Sequence, residues 1–75
     1  MLTIKKAAAA TGVPEHTLRA WERRYCLFSP ARAPSGYRVY DEEALTRIRD
    51  MHTLVDLGWS PRAASAEVLR QHQSA

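Results

Sequence analysis

The sequence has few of the residues that would build a cross-linked or membrane-embedded protein. It contains one cysteine in 75 residues, Cys26, which excludes an internal disulfide and fits a reducing compartment. No apolar run approaches the roughly 18 residues that a membrane-spanning helix needs. The N-terminus lacks a secretory signal pattern, because Lys5 and Lys6 precede only four alanines and a threonine. We therefore expect an intracellular, cytoplasmic domain that does not contact a membrane.

Side chains that carry chemistry are also scarce. The three histidines show no metal-ligand spacing with each other or with Cys26, and no nucleophile–base pair is evident. His52 falls on an apolar stripe, where a histidine is more often a core residue than a ligand. Asp41, Glu42 and Glu43 form an acidic run, but in the first turn of a predicted helix such carboxylates usually act as caps. The sequence therefore predicts no enzyme, no metal and no cofactor within these residues.

Charge is distributed unevenly along the chain. Residues 1–40 carry seven Lys/Arg against two Asp/Glu, a balance of +5, whereas residues 41–75 carry four against six, a balance of −2. A chain of this size buries only about 60% of its unfolded surface, so it forms one domain, residues 1–75, with little room for an enclosed active site. The basic first half indicates a side that faces a polyanion.

The most informative stretch is residues 14–25, P-E-H-T-L-R-A-W-E-R-R-Y, which predicts an amphipathic helix with Pro14 in its first turn. Leu18, Trp21 and Tyr25 recur at helical spacing on its apolar side. The opposite, basic side carries His16, Arg19, Ala20, Arg23 and Arg24. Such a helix can rest on a core and place guanidinium groups in a DNA major groove, where arginine pairs with guanine. A solvated face on an ordinary amphipathic helix has the same pattern, so the flanking segments decide.

The residues before this helix predict another, shorter helix. Thr3 suits its N-cap, Gly12 suits its left-handed C-cap, and the alanines between them allow close packing. Only Val13 separates the two predicted helices. Two short helices joined by a glycine-containing turn are typical of a helix-turn-helix, although a generic helical hairpin has a similar pattern.

Residues 27–40 predict a β-hairpin, which we call the wing. Two prolines forbid a helix here, and Pro-Ser-Gly suits a turn with Ser35 and Gly36 at its tip. The arms carry Arg32, Tyr37 and Arg38. We expect these three residues to contact DNA phosphates. A solvent-exposed hairpin with incidental arginines is the alternative.

Two further helices complete a mainly α, four-helix architecture with a small β-hairpin, a winged helix-turn-helix. Asp41 is expected to cap the third helix and Gly58 to end it, and Trp59 lies in the next loop. Ser60 and Pro61 suit the N-cap and first residue of the fourth helix. The apolar positions of the two helices are Leu45, Ile48, Met51, His52, Val55, Ala64 and Val68.

With these elements laid out, the chain resembles the DNA-binding domain of the MerR family over roughly residues 2–70. The motifs that carry the resemblance are T-I-K-K-A-A-A-A-T-G-V, T-L-R-A-W-E-R-R-Y, G-Y-R-V-Y-D and L-G-W-S-P, in the family's order. The W-E-R-R-Y form looks most like the cobalamin-dependent, light-responsive repressors of carotenoid genes. The resemblance implies sequence-specific binding of double-stranded operator or promoter DNA for transcriptional regulation.

The resemblance also implies roles for single residues. Arg19 and its neighbours match recognition-helix positions that enter the major groove, and Arg23 and Arg24 match positions near the duplex. Tyr37 and Arg38 match wing residues that hold the DNA backbone. All of these fall within the motifs quoted above.

The sequence departs from the family's pattern in two places. The family usually has glycine where Cys26 stands, directly after the recognition helix, so we expect strain there if the φ of Cys26 is positive. The family also continues into a long dimerising helix and an effector domain, which binds cobalamin in the subgroup named above. This sequence stops first, at Ala75, and an excised N-terminal module and a naturally short protein both fit that ending.

Two other functions stay open at this point. The basic face could accept an acidic protein partner, such as an antirepressor that mimics DNA, or the chain could be an excisionase-like architectural protein that bends DNA. No apolar heptad pattern long enough for a coiled coil is present. We therefore expect the isolated domain to be a monomer that contacts one half-site.

Overall fold

A computed structural model describes residues 2–28, 31, 32, 34 and 38–73 of the chain. Within these residues the backbone forms four helices and two short strands. In chain order they are α1 (Ile4–Thr11), α2 (Glu15–Tyr25), β1 (Ala31–Arg32), β2 (Arg38–Val39), α3 (Glu42–Asp56) and α4 (Pro61–Gln73). The mainly helical architecture predicted from the sequence is confirmed. Of the helices described, none is long and apolar enough to cross a membrane.

The turn between α1 and α2 is held by local hydrogen bonds. Thr3 caps α1 with its hydroxyl, and Gly12 ends the helix in the left-handed conformation at φ 78°. The Thr11 hydroxyl accepts from the backbone N–H of Val13 at 3.4 Å, and the Val13 side chain is buried. The short turn therefore has both a fixed backbone and an apolar anchor, as the helix-turn-helix pattern predicts.

α2 begins one residue later than the sequence predicts. Pro14 is the N-cap and precedes the first turn, with φ −59° and ψ 150°. Its carbonyl accepts from the backbone N–H groups of Thr17 and Leu18, each at 3.0 Å. Because proline has no side-chain acceptor, the main chain alone makes this cap. Leu18 and Trp21 are buried and Tyr25 is half-buried, so the predicted apolar side of α2 does face the core.

Cys26 ends α2 in a left-handed conformation, with φ 49° and ψ 39°, and its N–H donates to the carbonyl of Glu22. Among the described residues, Cys26 is the one residue other than glycine that has a positive φ. Its side chain is exposed, so burial as a small hydrophobic residue does not account for a cysteine here. A β-carbon is disfavoured in this backbone region, which is why glycine is the usual residue at such a helix end.

β1 and β2 pair antiparallel, with Ala31 opposite Val39 and Arg32 opposite Arg38. Each strand is two residues long. The predicted hairpin tip at Ser35 and Gly36 lies outside the described residues. The complete hairpin over 27–40 therefore stays a prediction.

Tyr40 connects the end of β2 to the start of the chain. Its backbone N–H and carbonyl exchange hydrogen bonds with Leu2 at 2.7 and 3.0 Å, as an isolated antiparallel bridge. Its buried ring packs against the ring of Phe28, with centroids 5.5 Å apart and planes tilted by 59°. The sequence predicts Tyr40 as the last residue of the hairpin over 27–40. The structure assigns it to the bridge, because its backbone partner is Leu2.

α3 and α4 complete the core. Asp41 caps α3 by accepting from the N–H of Ala44 at 2.9 Å, and Ser60 caps α4 by accepting from the N–H of Ala63 at 3.2 Å, both as predicted. α3 packs against α1 and α4. The buried hydrophobic residues form one cluster, made of Ala7, Val13, Leu18, Trp21, Leu27, Phe28, Tyr40, Ala44, Leu45, Ile48, Met51, Ala64 and Val68.

The predicted stripe of α3 needs one correction, whereas its predicted termination at Gly58 is confirmed. His52 is half-buried at the edge of the stripe, with its imidazole Nε2 4.0 Å from the carboxylate of Asp56, and is therefore not a core residue. α3 ends at Asp56 with Leu57 as its C-cap, and Gly58 follows at φ 103° with its N–H donating to the carbonyl of Val55 at 3.0 Å, so the glycine terminates the helix as predicted. Leu57 and Trp59 are exposed in the segment that leads to α4.

The strain at Cys26 makes a prediction about stability. Cys26→Gly should raise the free energy of unfolding by about 1 kcal/mol, because glycine adopts the left-handed conformation without a β-carbon clash. Thermal or urea unfolding of both proteins measures this. Ala9→Gly is the matched control: Ala9 is exposed inside α1, where glycine should cost about 0.5–1 kcal/mol. A lower unfolding midpoint for Cys26→Gly would contradict the assignment of strain.

Candidate nucleic-acid interface

The exposed side of α2 carries five of the eight predicted DNA-contacting residues, and we call it the basic face. Four of its members are exposed and Ala20 is half-buried. The set comprises His16, Arg19, Ala20, Arg23 and Arg24. The structure therefore brings these five residues together on the solvent side of a single helix.

Core packing determines which side of α2 faces outward. Leu18 and Trp21 are 0% and 6% exposed, and both belong to the central cluster. A rotation of α2 about its axis would expose these side chains and bury guanidinium groups, which is costly without ionic partners. The arginines thus point to solvent because their helix has no other stable orientation on this core.

Arg23 and Arg24 lie in the last turn of α2, whose carbonyl groups form the negative end of the helix dipole. Their charges favour the helix at this end, and Glu15 in the first turn does the same at the other end. The helix can therefore hold exposed positive charge without losing stability. Arg23 and Arg24 therefore stand where the helix dipole favours positive charge.

Arg19 has an acidic neighbour that the site prediction omits. Its Nη2 lies 3.6 Å from Oε1 of Glu15, one helical turn earlier, and the two side chains are 54% and 41% exposed. Exposed pairs of this kind contribute only about 0–1 kcal/mol. The i,i+4 spacing is the sequence signal that could have found the pair. Because the pair is weak, Arg19 can exchange this carboxylate for an acceptor on a ligand.

The remaining predicted residues lie on or beside the two strands. The backbone register places Arg32 directly opposite Arg38. The side chains of both arginines, and Tyr37 as a whole, lie outside the described part of the chain. The contribution of these three residues to DNA contact therefore stays a prediction.

The chain leaves α2 through two buried residues that the site prediction also omits. After Cys26, Leu27 is 0% exposed and Phe28 is 3% exposed. The carbonyl of Leu27 accepts a hydrogen bond from Nη1 of Arg47 in α3 at 3.2 Å. The exit of α2 is thus connected to α3 by a polar contact that spans 20 residues of sequence.

Charged groups on α3 and α4 pair with one another. Arg70 donates hydrogen bonds to the carboxylate of Glu67, which lower the pKa of that carboxyl below its ordinary value. The imidazole Nε2 of His72 lies 3.0 Å from Oδ2 of Asp50, which connects the two helices. No cluster of three or more potential metal ligands occurs in the part of the chain that the structure describes.

Comparison with known proteins shows what the chain is similar to. Residues 2–71 match the family model described as MerR HTH family regulatory protein. The chain is 42% identical over 69 residues to the HTH-type transcriptional repressor CarA of Myxococcus xanthus, and 40% identical over 55 residues to the repressor CarH of the same organism. It is 36% identical over 58 residues to the HTH-type transcriptional regulator MlrA of Escherichia coli.

These alignments cover most of this chain and a small part of each relative. They include 89%, 73% and 77% of the chain for CarA, CarH and MlrA, but 24%, 18% and 24% of those proteins. The chain thus spans no more than about a quarter of the curated relatives named here. The similarity concerns the module that carries α2, not the whole of any regulator.

Proposed function

This chain belongs to the MerR family of helix-turn-helix regulatory proteins, and from that premise we propose that it binds double-stranded DNA sequence-specifically to regulate transcription. The observation that carries the proposal is the basic face, which is exposed while the other side of α2 is buried in the core. An α-helix fits the major groove of B-DNA, where arginine pairs bidentately with guanine. α2 is therefore proposed as the recognition helix.

The proposed contacts divide between bases and phosphates. Arg19 and Arg23 lie one turn apart on the basic face, which suits contacts with base edges in one groove. Arg32, Tyr37 and Arg38 are proposed to lie on the phosphate backbone, in a wing over residues 27–40. Phosphate contacts position a protein on the duplex, and base contacts specify the sequence.

Repression is the proposed regulatory outcome, supported by the similarity to the transcriptional repressors CarA and CarH. Effector sensing, by a cobalamin-binding or other domain, is proposed for a longer parent protein and not for these residues. The isolated domain is proposed to be a monomer that occupies one half-site. Affinity would then rise when DNA holds two copies close together.

The base-contact assignment predicts the effect of removing single guanidinium groups. The probe is the duplex that the wild-type chain selects most strongly from a random-sequence pool. Arg19→Ala and Arg23→Ala should each weaken binding to it by about 1–3 kcal/mol, because a bidentate base contact is lost. Arg49→Ala is the matched control, since it removes an equal charge from an exposed position on α3. Binding of both α2 variants at wild-type strength would refute the assignment.

The phosphate-contact assignment predicts a change in salt dependence. Arg38→Ala should weaken binding to the selected duplex and to a random duplex alike. It should also reduce the slope of log affinity against log salt by about one unit, because one fewer phosphate is neutralised. Titrations at several salt concentrations measure the slope, with Arg49→Ala as the charge-matched control. An unchanged slope would show that Arg38 does not contact the DNA backbone.

A further inference from the structure

Two elements proposed to contact DNA are joined by a short connector. α2 ends at Tyr25 and β1 begins at Ala31. In the described part of this connector, Cys26 turns the backbone and Leu27 and Phe28 insert into the core. Because the chain continues from these residues toward β1, their path contributes to how the strands sit relative to α2. A group that holds this path can act on DNA binding without contacting DNA.

Arg47 holds the connector from α3. Its Nη1 donates to the carbonyl of Leu27 at 3.2 Å, and its Nη2 donates to Oε1 of Glu43 at 2.7 Å. The Arg47 side chain is 20% exposed, whereas that of Glu43 is 66% exposed. The guanidinium therefore lies partly inside the domain, with one amino group turned to the connector and the other to the surface.

Arginine suits this position better than lysine. Its planar guanidinium presents separate amino groups in a fixed fork, so it can donate to two acceptors that lie in different directions. A lysine ammonium is a single point on a flexible stem. It could pair with the exposed carboxylate of Glu43 and leave the Leu27 carbonyl without its donor.

The contact lies next to a second anchor of the connector. Phe28 follows Leu27 directly and packs against Tyr40, whose backbone bridges to Leu2. Tyr40 in turn follows β2. The connector is thus held on one side by Arg47 and on the other by Tyr40, the residue that follows the strand pair.

We propose that Arg47 is a positioning residue for DNA binding, which sets the orientation of the strand pair relative to α2 by holding the Leu27 carbonyl. This proposal rests on the proposed function, because it assumes that both elements bind one duplex. Arg47 acts through the connector and makes no contact with DNA. Without its hydrogen bond, the basic face and the strand pair no longer meet the duplex in register.

The test uses the duplex that the wild-type chain selects from a random-sequence pool. Arg47→Met should bind it roughly tenfold more weakly, which corresponds to about 1.4 kcal/mol. Arg47→Lys should not restore binding, because the ammonium cannot replace the fork. Glu43→Gln and Arg49→Ala are controls and should stay within about twofold of the wild type. All proteins are compared at a temperature below their thermal unfolding midpoints. Each protein concentration is corrected for the fraction that is active in binding.

A double-mutant cycle separates positioning from a general loss of stability. In the wild-type background, Arg38→Ala should lower the slope of log affinity against log salt by about one unit. In the Arg47→Met or Arg47→Lys background, the same substitution should lower that slope far less. Equal effects of Arg38→Ala in all backgrounds would overturn the proposal. Full rescue by Arg47→Lys would also overturn it, because charge alone would then suffice. If Arg47→Met does not fold, the Arg47→Lys cycle decides.

Failure of the proposed function would look different. In that case the wild-type chain would enrich no duplex from the pool. Enrichment by the wild type together with unchanged binding of Arg47→Met would reject the role of Arg47 alone.

Discussion

The burial of Leu18 and Trp21 is the constraint on which the rest of the structure depends. These two side chains fix the rotation of α2 about its axis, because both lie in the central cluster with almost no exposed surface. The proposed major-groove contacts follow from that rotation: once the apolar side is inward, His16, Arg19 and Arg23 lie outward. In a domain this small, the same few apolar contacts stabilise the fold and orient the basic face.

The second determinant is the way the chain leaves α2. A left-handed Cys26 turns the backbone, and Phe28 then packs on Tyr40, which bridges to Leu2 at the start of the chain. The bridge brings Leu2 and Tyr40 together, which lie at the two ends of the basic half of the chain, residues 1–40. Cys26 accepts a strained conformation there, and the buried residues that follow it compensate for the strain.

Local features could be predicted from the sequence, and distant contacts could not. The caps at Thr3 and Ser60 follow from side-chain chemistry within three residues, and the burial of Leu18 and Trp21 follows from helical spacing. The bridge between Leu2 and Tyr40 and the bond from Arg47 to Leu27 join residues 38 and 20 positions apart, which no periodicity encodes. The sequence wrongly predicts a core position for His52, because spacing alone does not show where an apolar stripe ends. The basic face was predictable, whereas these two distant contacts were not.

The most direct test of the central claim is a nuclear magnetic resonance titration of the isotope-labelled chain with its selected duplex. The largest backbone amide shifts are expected on the basic face of α2, from His16 to Arg24, and on the paired strands. The exposed outer sides of α3 and α4, including Arg49 and Arg70, should change little. Shifts concentrated on α3 and α4, with the α2 amides unchanged, would contradict the account.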